Sequence, residues 1–225
     1  MIPRSWVCAM TALYTCVGWS SAVRADPVDV TTDRPKSPRW DGVYGRFDGD
    51  VDLSLAAGVQ MERGGPGATA IARAIYFGTA GLYASYNTSF GNLSAVPPRS
   101  LSLGVGLRPF FIPRWSNDLA HGPAILDLTL DATTFDMGVL WAADQEGHFN
   151  QAAGIELGLG TEIPVLGQAS GPWIGVRGAF RWTGEELASS ESGDPARLGP
   201  ALFFTFGWHV LVNAHIADAG DQVFR

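Results

Sequence analysis

The sequence predicts an all-β protein: an eight-stranded antiparallel up-and-down transmembrane β-barrel with a polar lumen. Three observations lead to this fold class. Apolar and polar residues alternate along eight segments, as they do when a strand turns successive side chains to opposite faces. Beyond the N-terminus there is no apolar run of the about 18 residues that a membrane helix needs. The polar faces carry many charges, which a water-filled lumen tolerates and a dry sandwich core does not.

The chain divides into four regions by composition. Arg4, the apolar stretch 6–17 and the cleavage-site pattern at 23–25, with Val23 and Ala25, are typical of a secretory signal peptide, and an amphipathic or buried first helix is the alternative. A polar, proline-bearing stretch follows and predicts an extended arm. The predicted regions are a signal peptide at 1–25, a periplasmic N-terminal arm at 26–45, the barrel at 46–213 and a C-terminal tail at 214–225.

Cysteine content and charge exclude several functions. Cys8 and Cys16 both lie in the predicted signal peptide, so the mature chain would have no disulfide, thiolate metal site or cysteine nucleophile. The net charge of −7 and the absence of a basic patch argue against a nucleic-acid partner.

The first predicted strand, residues 48–61, sets the pattern for the others. Leucines and valines occupy one face, and Asp48, Asp50 and Asp52 lie on the other. The run is longer than the about 5–6 residues of a typical soluble strand and suits a tilted membrane strand of about 9–11 residues with some extension at each rim.

Strands two to four are predicted at residues 69–77, 80–90 and 99–110. The second sets alanines against Arg73, and only a Gly-Thr pair separates it from the third, which predicts a tight hairpin. The fourth opposes leucines and a valine to serines, glycines and Arg108. These three strands therefore repeat the pattern of the first.

The fifth strand is predicted from about residue 125 to residue 141. Leucines at the start alternate with Asp127 and Asp131, and the alternation then changes phase so that Asp136 lies on the polar face. A one-residue phase change is typical of a β-bulge, which we place at residues 132–134.

The last three strands are predicted at residues 151–165, 173–183 and 201–212. Their polar faces hold, in order, two glutamates, two arginines and one histidine among glycines. The predicted inward-facing charge network of the whole barrel is Asp48, Asp50, Asp52, Arg73, Arg108, Asp127, Asp131, Asp136, Glu156, Glu162, Arg177, Arg181 and His209.

The predicted connections alternate between the two ends of the barrel. With a periplasmic N-terminus, residues 62–67, 91–98, 143–148 and 184–197 form the outward loops. The segment 111–124 is then a long periplasmic turn, in which we expect a short helix after Pro113 with Ser116 or Asn117 as a cap.

No sequence motif points to catalysis, a cofactor or a metal. The histidines are scattered, and neither a zinc-binding helix nor a serine nucleophile elbow is present. A divalent-cation site at Asp48, Asp50 and Asp52 is a weaker hypothesis, because alternate ligands along a flat strand rarely surround an ion. We expect His209 to pair with Glu156 or Asp136 rather than to act as a general base.

Over residues 46–213 the chain resembles the small eight-stranded outer-membrane barrels of Gram-negative bacteria, of the outer membrane protein A and X kind. The resemblance implies an outer-membrane location after secretion, contact with outer-membrane lipid and the barrel-assembly machinery, and a monomer. It departs from that family at the C-terminus, because such barrels commonly end in an aromatic residue and here a tail follows Val212.

The resemblance implies roles as diverse as membrane anchoring, adhesion, lipid modification and small-molecule passage, so the fold does not select one of them. The leading hypothesis is a non-enzymatic barrel with a structural or loop-mediated role and a lumen closed by its own charge network. Eight strands leave an interior that side chains can fill, so a pore is not expected. Two alternatives remain open: an outer-membrane enzyme that modifies lipid, and a soluble periplasmic lipocalin-like ligand binder.

Overall fold

The protein forms one closed barrel of eight antiparallel strands. The computed structural model describes residues 44–46, 48–90, 96–117, 119, 122–144, 146–149, 151–184 and 199–214. Each strand pairs with its neighbours in the chain, and β8 pairs with β1 to close the sheet. The strands are β1 (Val51–Glu62), β2 (Gly65–Tyr76), β3 (Ala80–Ser89), β4 (Arg99–Leu107), β5 (Thr134–Ala142), β6 (Gly154–Pro164), β7 (Gly171–Trp182) and β8 (Gly199–Val212). The predicted fold class, an all-β eight-stranded up-and-down barrel, is confirmed.

Side chains alternate between a buried polar interior and an apolar exterior. In β1, Asp52 and Ser54 are buried while Leu53 and Leu55 are exposed, and the other strands repeat this pattern. The predicted signal peptide, most of the N-terminal arm, nearly all of the C-terminal tail and most of the loop at 184–197 lie outside the described residues.

One end of the barrel carries the start of β1, the end of β8 and the connections β2–β3, β4–β5 and β6–β7. We call it the terminal end. The β4–β5 connection there contains two helices, α1 (Phe111–Ser116) and α2 (Ala124–Asp131). Among the described residues, no helix is both long and apolar enough to cross a membrane.

The prediction of a strand and bulge over residues 125–134 was wrong. Residues 124–131 form α2, and β5 begins only at Thr134. The phase change in the sequence therefore marks a boundary between helix and strand. Asp127 and Asp131 are four residues apart and so share one face of the helix, where both bind Arg114. No local pattern of the sequence predicts this contact between α2 and Arg114 of α1.

The predicted helix in the same connection exists, but its position was wrong. The helix α1 begins at Phe111, with Pro113 in its first turn, where a proline is tolerated. Asn117, one of the two predicted caps, is the C-cap of this helix, and its side-chain amide donates to the Pro113 carbonyl over 2.8 Å.

Several predicted strand ends were displaced by a few residues. The strand β1 begins at Val51, so Asp48 and Asp50 precede it. The strand β2 begins at Gly65, where a φ of 118° favours glycine, so the β1–β2 loop is shorter than predicted. The strand β4 ends at Leu107, before the predicted residue 110.

Candidate functional site

The strands bring most of the predicted charge network together inside the barrel. Glu162 is partly buried there, and the other network residues of the lumen are almost fully buried. The lumen contains Asp52 from β1, Arg73 from β2, Asp136 from β5, Glu156 and Glu162 from β6, Arg177 and Arg181 from β7, His209 from β8, and Arg108 directly after β4.

Glu156 lies at the centre of the network and is fully buried. Its Oε1 atom lies 2.7 Å from Arg177 Nη2, and its Oε2 atom lies 3.1 Å from Arg181 Nε. The Tyr83 hydroxyl donates to Oε1 over 3.1 Å, and the Ser102 hydroxyl donates to Oε2 over 2.9 Å. Both oxygens of this carboxylate therefore have a cationic and a neutral partner.

Asp136 links the same cluster to β2. Its Oδ2 atom accepts from Arg177 Nε over 2.7 Å and from Arg73 Nη2 over 2.9 Å. The Arg177 guanidinium also lies 5.2 Å from the ring centre of Phe203 and 5.4 Å from that of Tyr83. Arg177 thus bridges two buried carboxylates and contacts two aromatic rings.

A second cluster lies nearer the terminal end, around His209. The Nδ1 atom of His209 lies 3.0 Å from Asp52 Oδ1, and its Nε2 atom lies 3.4 Å from Glu162 Oε2. Arg108 Nη1 donates to Asp52 Oδ2 over 2.8 Å. The Trp173 ring packs against the imidazole with ring centres 4.6 Å apart. The predicted partners of His209, Glu156 and Asp136, were therefore wrong.

Asp127 and Asp131 lie on α2, at the terminal end, and not on the inward face of a strand as predicted. Both bind Arg114, through Nη2 and Nε respectively, and Arg46 also binds Asp131. The Tyr44 hydroxyl donates to the Gly122 carbonyl over 2.9 Å. Burial and the Asp127 carboxylate raise the pKa of Tyr44. These groups form a separate cluster at the terminal end.

Asp48 and Asp50 lie before β1, at the terminal end, and are not on an inward strand face as predicted. Asp50 accepts a hydrogen bond from the Ala214 amide over 2.6 Å, next to the end of β8. Asp48 is exposed. Within the described parts of the chain, no group of three or more histidine, cysteine or acidic residues is arranged to hold a metal ion.

Neutral residues of the network were missed by a search for charges. Tyr83, Ser100 and Ser102 lie on the inward faces that the alternation predicts, so the pattern could have found them. Arg181 binds Ser100 and lies 3.3 Å from Glu62 Oε1, at the end of β1. The prediction ended the first strand at residue 61, one residue before Glu62, and Glu62 was therefore left out of the predicted charge network.

A cavity of about 50 Å³ lies at the terminal end, and a smaller space of about 10 Å³ is lined by Arg73, Glu162 and Arg177 among others. Asp52, Arg108, Leu128 and Trp173 are among the residues that line the larger cavity. Such a volume accommodates water molecules but is far below the about 300–1,000 Å³ of ordinary ligand pockets. The arrangement can therefore hold charges and water in a closed interior.

Comparisons with known proteins add no assignment. No protein-family model matches the chain, and no curated protein sequence is significantly similar to it.

Proposed function

We propose that the chain is a small transmembrane barrel of the Gram-negative outer membrane, similar to the outer membrane protein A and X kind. Its role is structural or loop-mediated, and its lumen is closed by a charge network. One observation carries the proposal: the barrel is inverted relative to a soluble protein. Asp136 and Glu156 inside it are 0% exposed, whereas Leu55 on its exterior is 67% exposed.

The apolar exterior extends around most of the barrel. Large exposed apolar patches on soluble monomers rarely exceed a few hundred Å² and usually mark an interaction surface. A closed sheet satisfies its own backbone hydrogen bonds, as a structure surrounded by lipid must. The large apolar side chains exposed on the strands include Leu53, Leu55, Val59, Met61, Leu82, Leu103, Val105, Phe135, Met137, Val139, Ile155, Leu159, Ile174, Phe180, Leu202, Phe204, Phe206, Trp208 and Val210.

The closed lumen is supported by the packing of its central cluster. Arg177 binds both Asp136 and Glu156, and the rings of Phe203 and Tyr83 lie within 5.4 Å of its guanidinium. These side chains occupy the interior, as expected for eight strands. We therefore propose no passage of solutes through the lumen.

The proposal includes no enzymatic role. Both ring nitrogens of His209 face carboxylates, Asp52 and Glu162, which leaves neither of them directed at a substrate. Replacement of His209 with alanine in cells should therefore leave the lipid A profile unchanged. A changed profile in the mass spectrum would favour the lipid-modifying alternative.

The lipocalin-like alternative requires apolar strand faces that look inward around a ligand. The exterior position of Leu55, Leu82 and Phe206 opposes it. The partners that follow from our proposal are outer-membrane lipid and the barrel-assembly machinery, with the protein as a monomer.

The decisive experiment is the gel migration of the detergent-extracted chain with and without boiling, together with its far-ultraviolet circular dichroism. We expect a β spectrum and a heat-dependent shift in migration, because a closed membrane barrel resists unfolding by detergent until it is heated. A chain that remains in solution without detergent and shows no shift would overturn the proposal.

A further inference from the structure

The two helices of the β4–β5 connection are inverted in the same sense as the barrel. In α2, Asp127 is 2% exposed and Asp131 is 5% exposed, whereas Leu126 is 53% exposed and Ile125 is 48% exposed. A helix on the surface of a water-soluble protein shows the opposite arrangement, with its charges in water and its apolar stripe on the core.

The charged face of α2 is held by specific contacts. Arg114 of α1 binds Asp127 and Asp131, and Arg46 binds Asp131 from the segment before β1. Leu128 on the same side packs with Trp173 above the lumen. The burial of both carboxylates is therefore built into the fold, and it turns the apolar side chains outward.

The helix α1 contributes to the same outward surface. Ile112 and Trp115 are about half exposed, at 52% and 50%, while Phe111 is buried. Tryptophan is enriched where a membrane meets water, since its ring has an apolar body and a polar tip.

The exposed side of α2 is continuous with the apolar exterior of the barrel. The Thr161 hydroxyl on the outer face of β6 donates to the Thr129 carbonyl over 2.8 Å, which places α2 against the wall. Val165 and Leu166, at the end of β6, are exposed at 46% and 66%. The apolar exterior of the barrel and the exposed side of α2 therefore adjoin at the terminal end, so one layer of lipid can cover both.

We propose that α1 and α2 form a lipid-binding platform that lies in the headgroup region of the bilayer at the terminal end. The inference rests on the proposed membrane location of the barrel. The occupant is lipid because the platform continues the wall that lipid covers and lies at the level where the strands end. Interfacial helices of this kind insert their apolar face about 5–10 Å into the boundary between headgroups and acyl chains.

Fluorescence quenching in lipid vesicles tests the platform. An environment-sensitive fluorophore is attached to Leu126→Cys on α2, to Leu55→Cys at mid-height on β1, or to Glu146→Cys on the β5–β6 connection, in the full chain with Cys8→Ser and Cys16→Ser. Phosphatidylcholine vesicles carry a nitroxide either on the headgroup or in the middle of the acyl chain. Each variant must keep its heat-dependent gel shift, and Ile125→Cys replaces Leu126→Cys where that variant fails to fold.

We expect headgroup nitroxide to quench the label at residue 126 several-fold more than the label at residue 146, and acyl-chain nitroxide to quench the label at residue 55. Quenching at residue 55 without quenching at residue 126 would overturn the platform and leave the membrane barrel standing. Quenching at neither position would overturn the proposed function itself. The label at residue 126 could also be quenched in vesicles without nitroxide lipid, and only when the density of labelled chains is high. That result would mean that a second copy of the chain covers the helices instead of lipid, and it would also overturn the platform.

Discussion

Glu156 compensates two buried arginines, Arg177 and Arg181. Replacement of Glu156 with alanine removes a fully buried carboxylate that both guanidiniums share, so the lumen keeps one positive charge without its counter-charge. Because an uncompensated buried charge is costly, we expect the free energy of unfolding to fall by about 3–5 kcal/mol. Denaturant titration of the protein in lipid vesicles measures this difference.

The control for this change is Glu146→Ala. The Glu146 side chain is 82% exposed, so its replacement should alter the free energy of unfolding by less than about 0.5 kcal/mol. Equal effects of the two substitutions would mean that water in the lumen screens the central cluster fully.

Gly138 makes room for the Tyr83 hydroxyl, which reaches across the lumen to Glu156. A Cβ atom added at Gly138 would lie 2.5 Å from that hydroxyl and 2.7 Å from the Leu103 carbonyl oxygen. We expect Gly138→Ala to lower the free energy of unfolding by about 1–3 kcal/mol, as overpacking does. Gly178→Ala is the matched control, because its nearest neighbour would be 4.0 Å away. A cost as large at Gly178 would contradict the assignment of the effect to Tyr83.

At the scale of the elements, Arg114 holds the two helices of the β4–β5 connection together. Its replacement with glutamine should speed hydrogen exchange at the Asp127 and Ala132 amides about tenfold or more. The reason is that a charge-assisted hydrogen bond contributes about 1.5–3 kcal/mol. Exchange measured by mass spectrometry should be unchanged in the strands.

Ser116→Ala on the same helix is the control for Arg114→Gln. The Ser116 side chain is exposed and bonds within its own turn, to the Pro113 carbonyl, and to the neighbouring Asn117. Exchange in α2 should therefore match that of the unmodified protein. Faster exchange in this variant would show that α1 as a whole, and not the arginine, restrains α2.

At the scale of the whole molecule, the environment of the exterior decides the cost of a surface charge. Leu55 lies at mid-height on β1 and Leu166 lies in the β6–β7 turn, and their exposures are 67% and 66%. In a membrane, Leu55→Arg should cost about 2–4 kcal/mol of unfolding free energy and Leu166→Arg about 0–1 kcal/mol. In water, both changes would stay within about 0.5 kcal/mol. Denaturant titration in vesicles distinguishes the two environments, and equal small costs would contradict the membrane proposal.

Much of the barrel could be predicted because strand periodicity is a local property. Alternation alone placed Glu156, Arg177 and His209 on inward faces, since a strand side chain points to one face or the other. The same alternation misled at Asp127 and Asp131. A spacing of four residues also fits one face of a helix. The contact of both aspartates with Arg114, which the sequence does not show, favours the helix over the strand.

The sequence by itself determined the number of strands and, within each strand, which side chains face the lumen, because both follow from the period and spacing of neighbouring residues. Only the tertiary structure decided which charges meet. His209 binds Asp52 and Glu162 because closure brings β8 against β1 and sets the relative height of the strands around the ring. The relative height of the strands is a property of the closed sheet and cannot be derived from the sequence of any single strand.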